Sequence, residues 1–200
     1  MKMKGLTPPL TPAARGAFEI ASTYHCPALL NHVIRSWLWA EAFAALEGRG
    51  DIDHELLYVA AMLHDIGITS AYDNVKLSYE EAGGHVAVAL TAGAQWVPAR
   101  RQRVLDVVIR HNWVAVDPDL DAEGYLLEKA TALDITGAHA DELPHEFLRE
   151  VVDARPRLDL AAQFTACVTD QARRKPDSAA FRLITSGLAD KLAYHPLEPR

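Results

Sequence analysis

Apolar residues recur every three or four positions wherever the chain is long enough to test a period. Leu29, Val33, Ser36 and Ala40 fall on one stripe, Leu56, Leu57, Ala60, Ala61 and His64 on another, and Leu126, Leu127, Ala130 and Leu133 on a third. That is the repeat of a helix burying one face, and no stretch holds the strict alternation of a half-buried strand. An all-α fold is therefore expected. Its punctuation is legible too. Pro12, Pro27 and Pro98 each suit a first helical turn. Asp53 and Ser78 suit caps, and Glu81 completes a capping box with Ser78. The expected helices run over about 12–24, 27–47, 53–64, 78–92, 98–111, 123–137, 142–152 and 158–174, with a short one in 179–192. Residues 1–12 form a loose arm, 48–51 a turn, and 68–78 and 114–122 loops.

Two hundred residues suit a single domain. No long linker, internal repeat or low-complexity tract divides them. One domain over 1–200 is expected, with a core at about 24–140 and a C-terminal helical extension at about 141–195. The net charge of -7 provides no general nucleic-acid surface, which needs a basic patch. It leaves room for a small anion held by a local cation in one cleft. No apolar run of about twenty residues exists, so no membrane span is expected. The lysines of MKMKGLTPPL precede no apolar stretch of the signal-peptide type. Cys26 and Cys167 do not make a disulfide framework, and a reducing compartment, the cytoplasm, is expected. The partner left is a small-molecule substrate, with a homodimer compatible.

The chemistry centres on MLHDIG, where His64 and Asp65 end the apolar run from Leu56 to Leu63. Adjacent side chains on a regular helix point about 100° apart. Both can serve one ion only where the helix ends, and Gly67 is expected to supply that end. An aspartate at a helix C-terminus also needs a counter-charge. His32 in LLNHVIRSW and Asp134 in EKATALDITG lie in helical segments, beside or on apolar faces. Imidazole and carboxylate are ordinary ligands for divalent transition ions. A metal site of His32, His64, Asp65 and Asp134 is one reading. Core histidines, a salt-bridged Asp134 and a helix-end Asp65 are the other. Arg35, one turn past His32, serves either a salt bridge or the orientation of a carboxylate. Trp113 after His111-Asn112 suits a cavity wall, and Lys76 suits a loop reaching for an anion. His85 fits pocket or helix surface, and Gly83-Gly84 fits close helix packing or close approach to substrate. No phosphate loop, GxGxxG after a strand, HExxH or GxSxG is present.

The order H…HD…D, with LLNHVIRSWLWAEAF, AAMLHDIGIT and LSYEEAGGHVAVAL around it, resembles the HD superfamily of metal-dependent hydrolases. The third segment is similar to its cyanamide-hydratase-like branch. The resemblance covers about residues 24–140. It implies an HD-type helical bundle with additional C-terminal helices packed on it. It also implies one divalent transition ion (zinc, iron or manganese) on His32, His64, Asp65 and Asp134. A second metal is not expected, because His111 is followed by Asn112 rather than by another histidine. In the resembled branch an acidic residue approaches the site, which singles out Glu80. The implied reaction uses a metal-activated water, with Asp65 as ligand and orienter and His111 as proton relay. Arg35 or Lys76 would hold a negative group if the substrate has one. The expected activity is hydrolysis of a small molecule, a phosphoester being one class. The alternative is hydration of a cyanamide or nitrile-type molecule. A non-enzymatic helical module that kept a metal-containing HD-like core is a third reading. An open cavity beside the metal site would separate an enzyme from such a module.

Overall fold

The computed structural model describes residues 3–198. Among them there is no strand, and ten α-helices follow in order: α1 Pro12–Tyr24, α2 Pro27–Leu46, α3 His54–Leu63, α4 Tyr79–Gly93, α5 Pro98–Arg110, α6 Ala122–Thr136, α7 His145–Ala154, α8 Leu160–Arg174, α9 Ala179–Thr185 and α10 Leu188–Ala193. This is the all-α bundle with extra C-terminal helices that periodicity and resemblance together anticipate. Of the arm expected at 1–12, Met1 and Lys2 lie outside the described residues. Pro12, Pro27 and Pro98 open α1, α2 and α5, while Asp53 caps α3 by accepting from the Leu56 amide at 3.0 Å. Ser78 and Glu81 form the capping box of α4. The C-terminal segment departs from expectation. Gly187, at φ +81°, breaks it into α9 and α10, because only glycine takes that left-handed conformation at little cost.

Two apolar clusters organise the packing. The larger joins α1–α7 around Trp39, Phe43, Leu57, Leu63, Leu126, Leu133 and Phe147. The second joins Leu29, Ile68, Tyr79 and Ile135 to Leu160, Phe164, Val168, Ala180, Leu188 and Leu192. The C-terminal helices thus pack on α2, α6 and the turn at 66–68, beside the start of α4, rather than on a remote flank. α3 is buried along its whole length after Glu55, as a central helix must be when others surround it.

The turn after α3 is held by contact, not by left-handed backbone. Gly67 is absent from the positive-φ glycines, which are Gly48, Gly137 and Gly187. A Cβ on Gly67 would collide with the Tyr79 carbonyl oxygen, and one on Gly83 would lie 2.8 Å from the Leu63 carbonyl. The expectation that Gly67 ends α3 conformationally is corrected accordingly: it lets the HD turn lie flat on the start of α4. The glycine pair in α4 is a packing device, since Gly83 meets α3 and Gly84 meets Leu105. Gly83→Ala is expected to cost about 1–3 kcal/mol through overpacking against rigid backbone. Gly84→Ala, which meets the flexible end of a leucine, should cost less. Urea titration of the two variants checks the order.

His25 and His195 are buried neutral. Burial pushes each down to about 4. His195 donates from Nε2 to the Leu133 carbonyl and accepts at Nδ1 from the Leu197 amide, which suits the uncharged ring. Such a histidine takes its proton near 6.5 when unfolded and only near 4 when folded. Its stabilising effect is whole above 6.5 and is lost as pH falls from there to about 4. Each should contribute a slope of about 1.4 kcal/mol per pH unit in that window. Urea unfolding of wild type and His195→Gln at pH 7, 6 and 5 should show that slope reduced by one histidine's share.

Candidate metal centre

The helix ends converge. His64 caps α3 with φ −59° and ψ −34°, and Asp65 leaves the helix at φ −104° and ψ 6°. This single change turns two neighbouring side chains toward one point. His32 reaches the same point from the second turn of α2, and His111 reaches it as the cap of α5. His32 Nε2 lies 3.1 Å from His64 Nε2 and 3.2 Å from Asp65 Oδ2, and His64 Nε2 lies 3.4 Å from Asp65 Oδ2. His111 Nε2 is 3.6 Å from Asp65 Oδ1. All four residues are buried.

The far side of each ring fixes its tautomer. A carbonyl can only accept, so His64 Nδ1 donates to Ala61 O at 2.8 Å and His111 Nδ1 donates to Val108 O. His32 Nδ1 donates to Asp134 Oδ2 at 2.7 Å. Three Nε2 atoms therefore face the Asp65 carboxylate, and both Asp65 oxygens are buried without a hydrogen-bond partner. Neutral rings arranged this way oppose lone pairs to lone pairs, which only a positive charge relieves. Burial alone would raise Asp65; positive charge at His64, His111 and His32 would instead hold it well below the usual carboxylate range, and a cation between the rings acts in the same direction. The three edges of 3.1–3.4 Å match the ligand–ligand spacing of an ion with bonds of about 2.1 Å. The donor set fits a divalent cation, and His32, His64 and Asp65 are the residues that would hold it.

Asp134, expected as a fourth ligand, stands behind His32. Its Oδ1 accepts from Arg35 Nε at 2.7 Å and Trp39 Nε1 at 2.9 Å, and its Oδ2 accepts from Arg35 Nη2 and His32 Nδ1, both at 2.7 Å. Arg35 is fully buried. Its remaining Nη1 donates to the Arg155 and Pro156 carbonyls, so it orients a carboxylate and does not face substrate. Burial would raise Asp134, but Arg35 and His32 outweigh it and keep the group well below normal.

A cavity of about 130 Å³ opens beside the cluster, lined by the triad and His111 together with Tyr79, Asn112, Trp113, Glu128, Thr131, Phe164 and Leu183, among others. Trp113 forms part of its wall, as its place after His111-Asn112 suggested. Glu80 and Lys76 do not line it; they border a separate polar pocket with Arg182 and Lys175. With Glu81 turned back as the cap, Glu80 faces α9 instead. His85 is exposed on α4. Sequence reasoning missed Tyr79, Glu128, Phe164 and Leu183. Phe164 stacks at a tilt 5.9 Å from His32, and nothing in an apolar helix stripe marks that contact in advance.

Residues 29–130 match the HD domain family. The chain belongs to the HD domain family. Within it, the chain is 29% identical over 175 residues to each of two proteins of Saccharomyces cerevisiae, cyanamide hydratase DDI2 and cyanamide hydratase DDI3, covering 84% of this chain and 76% of each relative. An HD domain with its His/His/Asp triad intact and opening on a cavity is a metal-dependent enzyme rather than a sealed structural module. Among the described residues, no helix is long and apolar enough to cross a membrane.

Proposed function

We propose that this enzyme adds water across the C≡N bond of a small neutral molecule of the cyanamide or nitrile type. The observation that carries the reading is the cavity's charge. Among the described residues, no lysine or arginine lines it, while Asp65 and Glu128 both do. A phosphoryl substrate wants several cationic partners, and Arg35 and Lys76, the two considered for that task, do not line the cavity. Its small volume and apolar wall of Phe164, Ile135, Ala132 and Leu183 suit a short uncharged molecule. The two yeast relatives are named as hydratases of that class. Phosphoester hydrolysis is accordingly the second reading.

When bound, a divalent ion supplies Lewis acidity, which eases deprotonation of water and polarises the group attacked. His32, His64 and Asp65 would hold that ion, and Asp134 with Arg35 orients His32 from behind. Hydration moves one proton from the attacking water to the nitrile nitrogen, giving an imidic acid whose remaining O–H proton then shifts to the same nitrogen to give the amide, and nothing leaves. Asp65 Oδ1 orients the water. His111 Nε2 is the relay atom, since its Nδ1 is committed to the Val108 carbonyl. Phe164 and Leu183 make the C-terminal extension part of the same functional unit. The test is an assay of protein reconstituted with zinc, iron or manganese against cyanamide, nucleoside monophosphates and a generic phosphodiester. Metal-dependent urea from cyanamide is the expected result. Phosphate release without urea would select the other class.

A further inference from the structure

Glu128, Thr131, Ala132, Ile135 and Thr136 lie at i, i+3, i+4, i+7 and i+8 on α6, and all line the cavity. One face of this helix therefore makes a wall, and Glu128 is its only charged member. No donor neutralises that carboxylate among the described residues. The basic groups nearest in its field are Lys129, His139 and His111, and each is committed elsewhere. Lys129 Nζ donates to Glu47 Oε1 at 3.0 Å and to Glu142 Oε2 at 2.6 Å. His139 Nδ1 pairs with Glu142 Oε1 at 2.7 Å, and His111 Nδ1 is spent on Val108. Burial raises Glu128 above the ordinary carboxyl range, and those three groups offset only part of it. Glu128 is only half-buried, so water can serve this acceptor while the cavity is empty; a ligand that fills the cavity displaces that water and must supply a donor in its place.

We propose that Glu128 determines which substrate the site accepts, by taking an N–H from the substrate's amino group and repelling anions of the same shape. The proposal rests on the hydratase reading and narrows it to nitriles that carry an N–H on or next to the reacting carbon. Cyanamide and azide are both short and linear. The first is neutral and donates N–H; the second is anionic and donates nothing. A charge on the wall separates them by attraction and repulsion together, which is how a small site gains selectivity that fit alone cannot provide.

Three probes test this with wild type, Glu128→Gln and Glu128→Ala. Dimethylcyanamide keeps the nitrile and lacks the N–H. In Glu128→Ala the ratio of kcat/KM for cyanamide over dimethylcyanamide should fall at least about tenfold, the usual worth of a hydrogen bond to a charged group, with the loss mostly in KM. Azide binding is read from the visible spectrum of the cobalt-loaded protein, with no turnover required. Its affinity should rise at least about tenfold in Glu128→Gln, where shape is kept and charge removed. An unchanged ratio together with unchanged azide affinity overturns the proposal. Equal losses for all three probes would mark Glu128 as structural and overturn it too. Absence of urea from wild type, with azide affinity still raised in Glu128→Gln, overturns the hydratase reading and the N–H half while anion exclusion stands.

Discussion

His64→Ala is expected to lose the metal and to cut turnover by about a thousandfold or more. The ring contributes one of three donors whose mutual spacing defines the ion's place, and the remaining His32 and Asp65 cannot close around it. Lewis-acid stabilisation is worth several kcal/mol, and each 1.36 kcal/mol is a factor of ten in rate. The variant should fold. An alanine removes one member of an electrostatically crowded cluster and leaves the Ala61 carbonyl near a helix end. Elemental analysis after metal-free purification and reconstitution checks the first half of the prediction, and the cyanamide assay the second. Full occupancy in a His64→Ala, Asp65→Ala double variant would sink the assignment of these ligands. In the wild type, metal at a hundred times its dissociation constant should raise stability by about 2.7 kcal/mol, and a chelator should reverse that shift in Tm.

Asp134→Asn is expected to have the largest effect on folding. The amide is nearly the same size but leaves Arg35 buried beside a neutral group, and its NH2 must face donors that now have nothing to give to. Breaking a buried pair by removing one partner costs about 3–5 kcal/mol. That is a large share of the stability of an ordinary domain. Arg35→Lys should not be benign either, because one ammonium cannot reach Asp134 through two parallel bonds and also hold the Arg155 and Pro156 carbonyls. Urea unfolding of both variants in the absence of metal separates this loss from any loss of ligation. A cost below about 1 kcal/mol in Asp134→Asn would mean that the pair is not the junction it looks like.

Helix positions were legible because proline, capping residues and apolar period agree at nearly every boundary. The convergence of His32, His64 and Asp65 was legible mainly through the HD-superfamily resemblance, since the residues by themselves also allow core histidines and a helix-end Asp65. What was not legible is which side of α4 and α6 faces the cavity. Glu80 and Glu81 are neighbours, and only the cap decides that Glu81 turns inward to Ser78 while Glu80 turns toward α9. Asp134 reads as a ligand because a buried carboxylate demands a cation. The structure supplies that cation as Arg35, and the demand itself carries no label saying which cation answers it. Phe164 and Leu183 come from helices whose stripes look like any others, so the closing of the cavity by the C-terminal extension leaves no local mark.

The supports behind the three rings differ in kind. Ala61 and Val108 hold His64 and His111 through main-chain oxygens, which are present whatever residue stands there. Asp134 holds His32 through a side chain. Point mutation can therefore retune the basicity of one ring directly and of the other two only by moving a helix end. Any lineage of this enzyme that shifts its preference among metals by changing the outer support has its genetic handle at Asp134 and at the Arg35 and Trp39 side chains that hold it, and that handle is tied to the stability of the whole bundle.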